Sequence, residues 1–532
     1  MNKSNLICFF LSLISGILFF LSFPKFGSSI FGWFCLVPLI IVVFYIYHYS
    51  NFHYKPKKVI IFSIISGLIG YCGILYWIIP TFIVAGESLV WGVVAMLLLA
   101  LYCSLYFALF FLYVYYAQRL KSFFYVLTTS SLWVLLEYIR GHLFSGFPWM
   151  LLGYSQYENL SIIQVAEYVG VYGVSFVLVF FNTFLAKVIY DFVVDKKVEK
   201  FVFNIFILML LPICISLYGK LKINKILKKI ENASQTLTVV ILQGNIDQYK
   251  KWDKQYVDYI MNTYSQLVFS SYQEILKKGT NNLVLYIWPE SSVPGWVLEE
   301  DYLYNWISSL VKLTNSTKEV ITFHLVGSVR MDKNKKNYYN SALLFKYNSD
   351  KKDIVVDEIY DKIHLVPFGE YVPFRNILGK FIKTVNELGE FSSGKEYKVF
   401  YIDGIKFSSL ICYESIFPEL TRRFTLEGAE FLVNITNDAW FLKTSAPYQH
   451  FIFNIFRAVE NRCFLLRAAN TGISSIIYPT GEVIKATELF KTTNIVYSFN
   501  IYNEKTFYVK YGGLLWVVYF ILFLVFNLIK QK

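Results

Sequence analysis

Residues 406–428, KFSSLICYESIFPELTRRFTLEG, decide the fold. The run 406–411 reads as an apolar strand that stops on Cys412, and 417–427 reads as a helix with Pro418 in its first turn and Gly428 just past its end, the places these residues favour. A strand that delivers a reactive side chain into a helix is an α/β pattern. Two upstream strands end in the same way: 283–288 closes on Trp288-Pro289-Glu290, and 354–360 on Tyr360-Asp361-Lys362. Around them, from about 236 to 500, further β-branched runs at 238–243, 321–329, 341–347, 431–435 and 472–478 alternate with helical spacing at 257–277 and 301–314. This is one α/β domain without internal repeats.

Outward from that domain the texture becomes apolar. Of 532 residues, 56% are hydrophobic and 16% charged, whereas a soluble chain carries roughly 45–50% and about 25%. A soluble enzyme alone is excluded; 19% aromatic residues exclude disorder, and seven Cys in so long a chain exclude a disulfide scaffold. Runs near the ~20 residues needed to cross a bilayer fall at 6–23, 30–47, 59–79, 89–115, 123–143, 171–189 and 201–217, and one more at 514–529. The domain boundaries follow: a membrane domain at 1–219 with about seven helices, a basic linker at 220–235, an α/β domain at 236–505, and a last helix at 506–532. The first run lacks a small-residue cleavage site and reads as a retained helix.

Alternate short loops hold Lys55, Lys57 and Lys58, then Arg119 and Lys121, then Lys196, Lys197 and Lys200. Positive loops stay inside, so both termini are expected in the cytoplasm and the α/β domain on the outer face. Lys220, Lys222, Lys225, Lys228 and Lys229 run against this rule, which governs long translocated domains weakly; a basic amphipathic stretch also suits anionic headgroups. The net charge of +13 therefore reports membrane orientation, and no nucleic-acid motif accompanies it.

In open α/β sheets ligands bind beyond the carboxyl ends of strands, so the three strand ends can converge. Glu290 would take the thiol proton, Cys412 would attack an acyl carbonyl, and Lys362, with a backbone N–H after Cys412, would stabilise the oxyanion. A helix start and a neighbouring cation both favour thiolate. Singly, each has a plainer reading, as a small core Cys or a solvated surface charge. Within the fifth span Glu137 and Arg140 share a helix face; they either hold a lipid headgroup or neutralise each other. The six His and the remaining Cys show no metal-ligand spacing, so neither metal nor cofactor is expected. Gly170-Val171-Tyr172-Gly173 reads as a site of close helix packing, and the other six Cys as packing residues.

The α/β domain resembles the nitrilase or carbon-nitrogen hydrolase superfamily, and the chain as a whole resembles its membrane-bound branch, the apolipoprotein N-acyltransferase family. The resemblance rests on Phe23-Pro24-Lys25-Phe26-Gly27, Trp33, Gly146-Phe147-Pro148-Trp149, Gln243-Gly244-Asn245, the run from Lys362 through His364 to Pro373, Asn437-Asp438-Ala439-Trp440-Phe441 and Gln449-His450. It implies an αββα sandwich and a Glu-Lys-Cys triad at Glu290, Lys362 and Cys412, supported by Glu370, Tyr413, Glu414, Trp252, Asn340 and Trp440. The implied reaction is two-step: a phospholipid acylates the Cys, and the acyl group passes to the α-amine of the diacylglyceryl-Cys of an apolipoprotein, the last step of bacterial lipoprotein maturation at the inner membrane. Apolar residues from Val366 to Ile382, including Phe374 and Phe381, are expected either to border a lipid-entry cleft or to be domain core. A monomer suffices for this chemistry. Two rivals remain open. A membrane-anchored amidase would deliver the acyl group to water, although seven spans exceed an anchor's need; a transporter with an accessory domain would need ionisable residues along its spans, and few are present.

Overall fold

The computed structural model describes residues 3–48, 55–279, 283–317, 320–332, 334, 336–373 and 391–528. The chain forms two compact units, one of residues 1–224, 441–456 and 510–532, the other of 225–440 and 457–509. Residues 441–456, read from the sequence as part of the α/β block, thus belong to the first unit.

The first unit is helical. Among the described residues eight helices are long and apolar enough to cross a bilayer: Lys3–Phe20, Ser29–His48, Lys55–Leu75, Leu89–Arg119, Ser122–His142, Ala166–Asp195, Val198–Glu231 and Phe507–Leu528. Each overlaps an expected span. Three differ from the sequence reading for identifiable reasons. The third stops at Leu75, and a short helix, Ile78–Val84, restarts with Pro80 in its first turn, where a missing N–H costs nothing. The sixth is broken at Gly170, whose φ of 61° and ψ of −173° only glycine adopts without strain. Gly170-Val171-Tyr172-Gly173 is therefore a kink; a Cβ on Gly173 would lie 2.0 Å from the Val169 side chain. The seventh continues through the expected basic linker to Glu231. It exposes Val202, Phe203 and Phe206, as a lipid-facing helix does.

Among the described residues the second unit contains twelve strands: β1 Thr236–Gln243, β2 Leu283–Ile287, β3 Ile321–Met331, β4 Tyr338–Asn348, β5 Asp353–Asp361, β6 Phe400–Ile402, β7 Ile405–Ile411, β8 Phe431–Thr436, β9 Leu465–Ala469, β10 Ser475–Ile477, β11 Val483–Ala486 and β12 Thr493–Asn500. They build two six-stranded sheets, ordered β12-β1-β2-β3-β4-β5 and β11-β10-β9-β8-β7-β6. β1 touches β9 and β4 touches β7, so the sheets face each other. Side chains alternate across a strand. One face of the first sheet (Val240, Leu242, Val284, Tyr286, Val326, Leu343) packs on the helices Val257–Lys278 and Asp301–Thr314 through Ile260, Tyr264, Val268, Ile307 and Val311. The intervening residues Val239, Ile241, Leu285 and Ile287 are equally buried. Covering both faces explains the near-continuous apolar runs.

Strand direction places the chemistry. β1, β2 and β3 are mutually parallel, as are β7, β8 and β9. β4 is antiparallel to β3, and β5 to β4, so β5 again points with β2. The residues that follow β2 and β5, Glu290 and Lys362, therefore leave the first sheet at the same end.

Candidate active site

The site is built on those strand ends. Glu290, Lys362 and Glu414 are buried, and Cys412 is partly buried. The Lys362 ammonium lies 3.8 Å from Glu290 Oε1, donates to Glu370 Oε1 at 2.9 Å and forms an ion pair with Glu370 Oε2 at 2.8 Å. Asn340, on β4, donates from one Nδ2 to Glu290 Oε1 at 2.7 Å and to Glu370 Oε1 at 2.9 Å. The other oxygen of Glu290 accepts the backbone N–H of Asn437, just after β8, at 2.8 Å. Every carboxylate oxygen here has a defined partner.

Cys412 closes β7 with φ of 54°, a left-handed conformation that a side-chain-bearing residue adopts only when its surroundings enforce it. The enforcement is visible. Asn434 Nδ2 and Ser415 Oγ donate to the Cys412 carbonyl at 3.4 and 3.2 Å, while Glu414 Oε2 accepts from Ile411 N at 2.7 Å. Glu414 Oε1 accepts from Tyr360 Oη, Ile363 N and His364 N at 2.7, 2.7 and 3.0 Å. One buried carboxylate thus ties the turn carrying Cys412 to the turn carrying Lys362. Burial pushes Glu414 up to about 7, although these donors and Lys362 pull it down.

Burial dominates the electrostatics of the thiol. Burial, reinforced by Glu290 and Asp438, holds the Cys412 thiol well above its ordinary range, and Lys362 and the Thr436 hydroxyl offset only part of this. Cys412 is thus pushed towards the thiol form; a cation and a helix six residues downstream do not outweigh desolvation. Burial opposes the charge on Lys362, but Glu370, Glu290 and Cys412 overcome it and keep the ammonium above its usual range.

The remaining expected residues are placed unevenly. Tyr413 packs edge-on against Phe417, whose ring lies 3.7 Å from that of His364. Trp252 and Trp440 are exposed. Phe374 and Phe381 lie outside the described residues. In the first unit, Glu137 Oε1 accepts Leu152 N at 2.7 Å, and Arg140 donates to Tyr71 Oη at 2.7 Å and Trp149 O at 3.2 Å. Both are buried, and each is bound to the protein scaffold rather than to the other.

Sequence reading missed Lys251, which is buried and donates to the Glu290 carbonyl at 3.1 Å. Burial lowers it to about 8 despite the pull of Glu290 and Cys412. It also gave no role to Asn437, or to the buried pair of Asp438 and Arg467 at 2.8 Å. The only sequence signal for Lys251 was its place beside Trp252, a few residues beyond a strand end.

Two facing sheets with a carboxylate, an ammonium and a thiol at their strand ends define the carbon-nitrogen hydrolase class, here in a chain that also carries a polytopic helical unit. Comparison with known families agrees: residues 227–499 match the carbon-nitrogen hydrolase family and residues 15–184 match the apolipoprotein N-acyltransferase N-terminal domain. The apolipoprotein N-acyltransferase of Geobacter metallireducens is 35% identical over 95% of this chain and 91% of its own length. That of Rickettsia typhi is 30% identical over 92% and 90%. The chain belongs to the apolipoprotein N-acyltransferase family.

Proposed function

We propose that this protein transfers an acyl chain from a phospholipid to the α-amine of the lipid-modified N-terminal Cys of apolipoproteins, through a thioester on Cys412. The observation that carries the reading is the buried cluster in which Lys362 stands 3.8 Å from Glu290 and both act electrostatically on Cys412, in a chain matched to the family along nearly its whole length.

Each step balances. Glu290 takes the proton of Cys412 Sγ as the sulfur attacks the ester carbonyl; Lys362 stabilises the tetrahedral oxyanion. Collapse breaks the ester C–O bond, Glu290 returns its proton to the leaving oxygen, and lysophospholipid departs. In the second half the acceptor amine attacks the thioester, the C–S bond breaks, and Glu290 carries the amine's proton to the sulfur. A thioester yields to an amine more readily than an oxygen ester does, so dividing the reaction lowers its harder barrier. An α-amine, with a reference pKa of about 7.7–8.0, is partly neutral near pH 7, unlike a Lys side chain at about 10.4. Glu370 and Asn340 hold Lys362 and Glu290 at their stations, and Glu414 holds the Cys412 turn.

The protein is a multi-pass protein of the bacterial inner membrane. We place both termini in the cytoplasm and the catalytic unit on the outer face, because Lys55 opens one helix, Arg119 closes another, and Lys196, Lys197 and Lys200 lie at the junction of Ala166–Asp195 and Val198–Glu231. A monomer carries the whole triad.

The test is mass spectrometry of the full chain incubated with a defined phospholipid and no acceptor, beside Cys412→Ala. An acyl mass on Cys412, released by hydroxylamine and passed to a diacylglyceryl-Cys peptide, is expected. Cleavage of small amides without any acyl-enzyme from lipid would instead favour the amidase reading.

A further inference from the structure

We propose that Lys251 is a second cation of the acylation site, a positioning residue that holds the buried cluster neutral while the Cys412 thiolate forms. This rests on the reading that Cys412 is acylated by lipid.

Lys251 lies on the loop after β1 and is 4% exposed. Among the described residues its ammonium has one hydrogen-bond acceptor, the Glu290 carbonyl at 3.1 Å. A buried ammonium with three donors and one acceptor is costly unless opposite charge compensates it. That charge comes from the catalytic cluster: the ionisable groups acting on Lys251 are Glu290, after β2, and Cys412, after β7. Beyond them stand Lys362 and Glu370, paired at 2.8 Å, and Asp438, already paired with Arg467. Two ammonium groups therefore face the carboxylates of Glu290 and Glu370, and these four sum to zero; Glu414, beside Lys362, is pushed up to about 7 by burial and adds only part of a negative charge near neutrality. When the Cys412 proton moves to Glu290, the negative charge moves from carboxylate to sulfur and the sum stays zero. Without Lys251, the same transfer creates a thiolate inside a site of net negative charge, where it is disfavoured. The hydrogen bond to the Glu290 carbonyl also fixes the turn before Ser291, whose φ is 46°.

Burial brings Lys251 down to about 8, so its charge fades just above neutrality and acylation should fade with it. The test follows formation of the acyl-enzyme by intact mass, with the full chain in detergent, a diacyl phosphatidylethanolamine donor and no acceptor amine, across pH 6 to 9.5. The native rate is expected to fall above pH of about 8. Lys251→Arg, permanently charged, should lose that fall. Lys251→Met should acylate about ten-fold more slowly at pH 7, one pKa unit of thiol per lost cation, at an unchanged half-saturating donor concentration. A native profile without the fall, an equal fall in Lys251→Arg, or native rates in a folded Lys251→Met would overturn the proposal. If Lys251→Met does not fold, the native and Lys251→Arg profiles decide. Absence of acyl-enzyme from the native chain at every pH would instead sink the acylation reading itself.

Discussion

Replacing Glu370 by Gln tests whether the spacing between Lys362 and Glu290 is set by a competing carboxylate. Lys362 is drawn to Glu370 at 2.8 Å and kept 3.8 Å from Glu290. Without the charge on Glu370, the ammonium closes on Glu290. Moving a unit pair from 3.8 to 2.8 Å is worth about 1.5 kcal/mol at an effective dielectric of about 20. Glu290 must surrender that added attraction each time it accepts the Cys412 proton, so the barrier to acylation rises by up to about that amount, the positive charge left at the site offsetting part of it, and the rate falls by up to roughly ten-fold. Gln retains an oxygen for the Val366 N–H that Glu370 now accepts at 2.8 Å, which keeps the loop in place. The assay is single-turnover acyl-enzyme formation with excess phospholipid, quenched in acid and read by intact mass. An acylation rate within two-fold of native would refute the reasoning, as would a defect lying wholly in donor affinity.

Two further outcomes follow from the geometry. Gly327, on β3, passes so close to the catalytic turn that a Cβ there would sit 2.2 Å from Pro289 O and 2.8 Å from the Glu290 Cα; Gly327→Ala should displace Glu290 and lower acylation at least ten-fold, whereas unchanged kinetics would show that the turn yields freely. His324 accepts Trp288 Nε1 at 3.3 Å and is held by burial at about 3. Its folded value is depressed from an unfolded value of about 6.5, so its contribution to stability is present above pH of about 6.5 and lost as pH falls towards 3, of the order of 5 kcal/mol in all; denaturant unfolding of the second unit should show this slope, and His324→Gln should flatten it.

The membrane spans were legible because bilayer thickness imposes length and apolarity together. Their ends were less so: the helix Val198–Glu231 runs on through lysines that composition marked as linker, since charged residues with long stems continue a helix as well as they end one. In the sandwich, the apolar and β-branched runs of β1–β5, β7, β8 and β10 stood out, while β6, β9, β11 and β12 did not. β6 and β11 are short edge strands, and β9 contains Arg467 between apolar neighbours, a pattern that argues against a buried strand until its pairing with Asp438 is known. The residues proposed as the triad were legible as strand ends, but their meeting needed the reversal at β4 that turns β5 parallel to β2. Lys251 was illegible because a buried lysine and a solvated one are written alike. Sequence displayed the cation that favours thiolate, and Lys362 does act in that direction, but not the desolvation that outweighs it.

The three groups proposed to react come from separate strands, and each junction between them is closed by polar hydrogen bonds rather than by apolar packing. Asn340 joins Glu290 to Glu370, and Glu370 grips Lys362. Glu414 joins the backbone after Lys362 to the backbone before Cys412. The Asn437 N–H joins β8 to Glu290. Apolar contacts tolerate sliding, whereas charge-assisted hydrogen bonds of 2.7–2.9 Å fix direction as well as distance. The arrangement suits a nucleophile that rests protonated. In the proposed transfer, a thiol above its ordinary range does not stand as thiolate, so attack waits until Glu290 and Lys362 are both in register with the ester, a register that Glu370, Glu414 and Asn340 would maintain. Such a site gives up thiolate population in the resting state in return for coupling deprotonation to attack, which spares a membrane enzyme from alkylation and oxidation between turnovers.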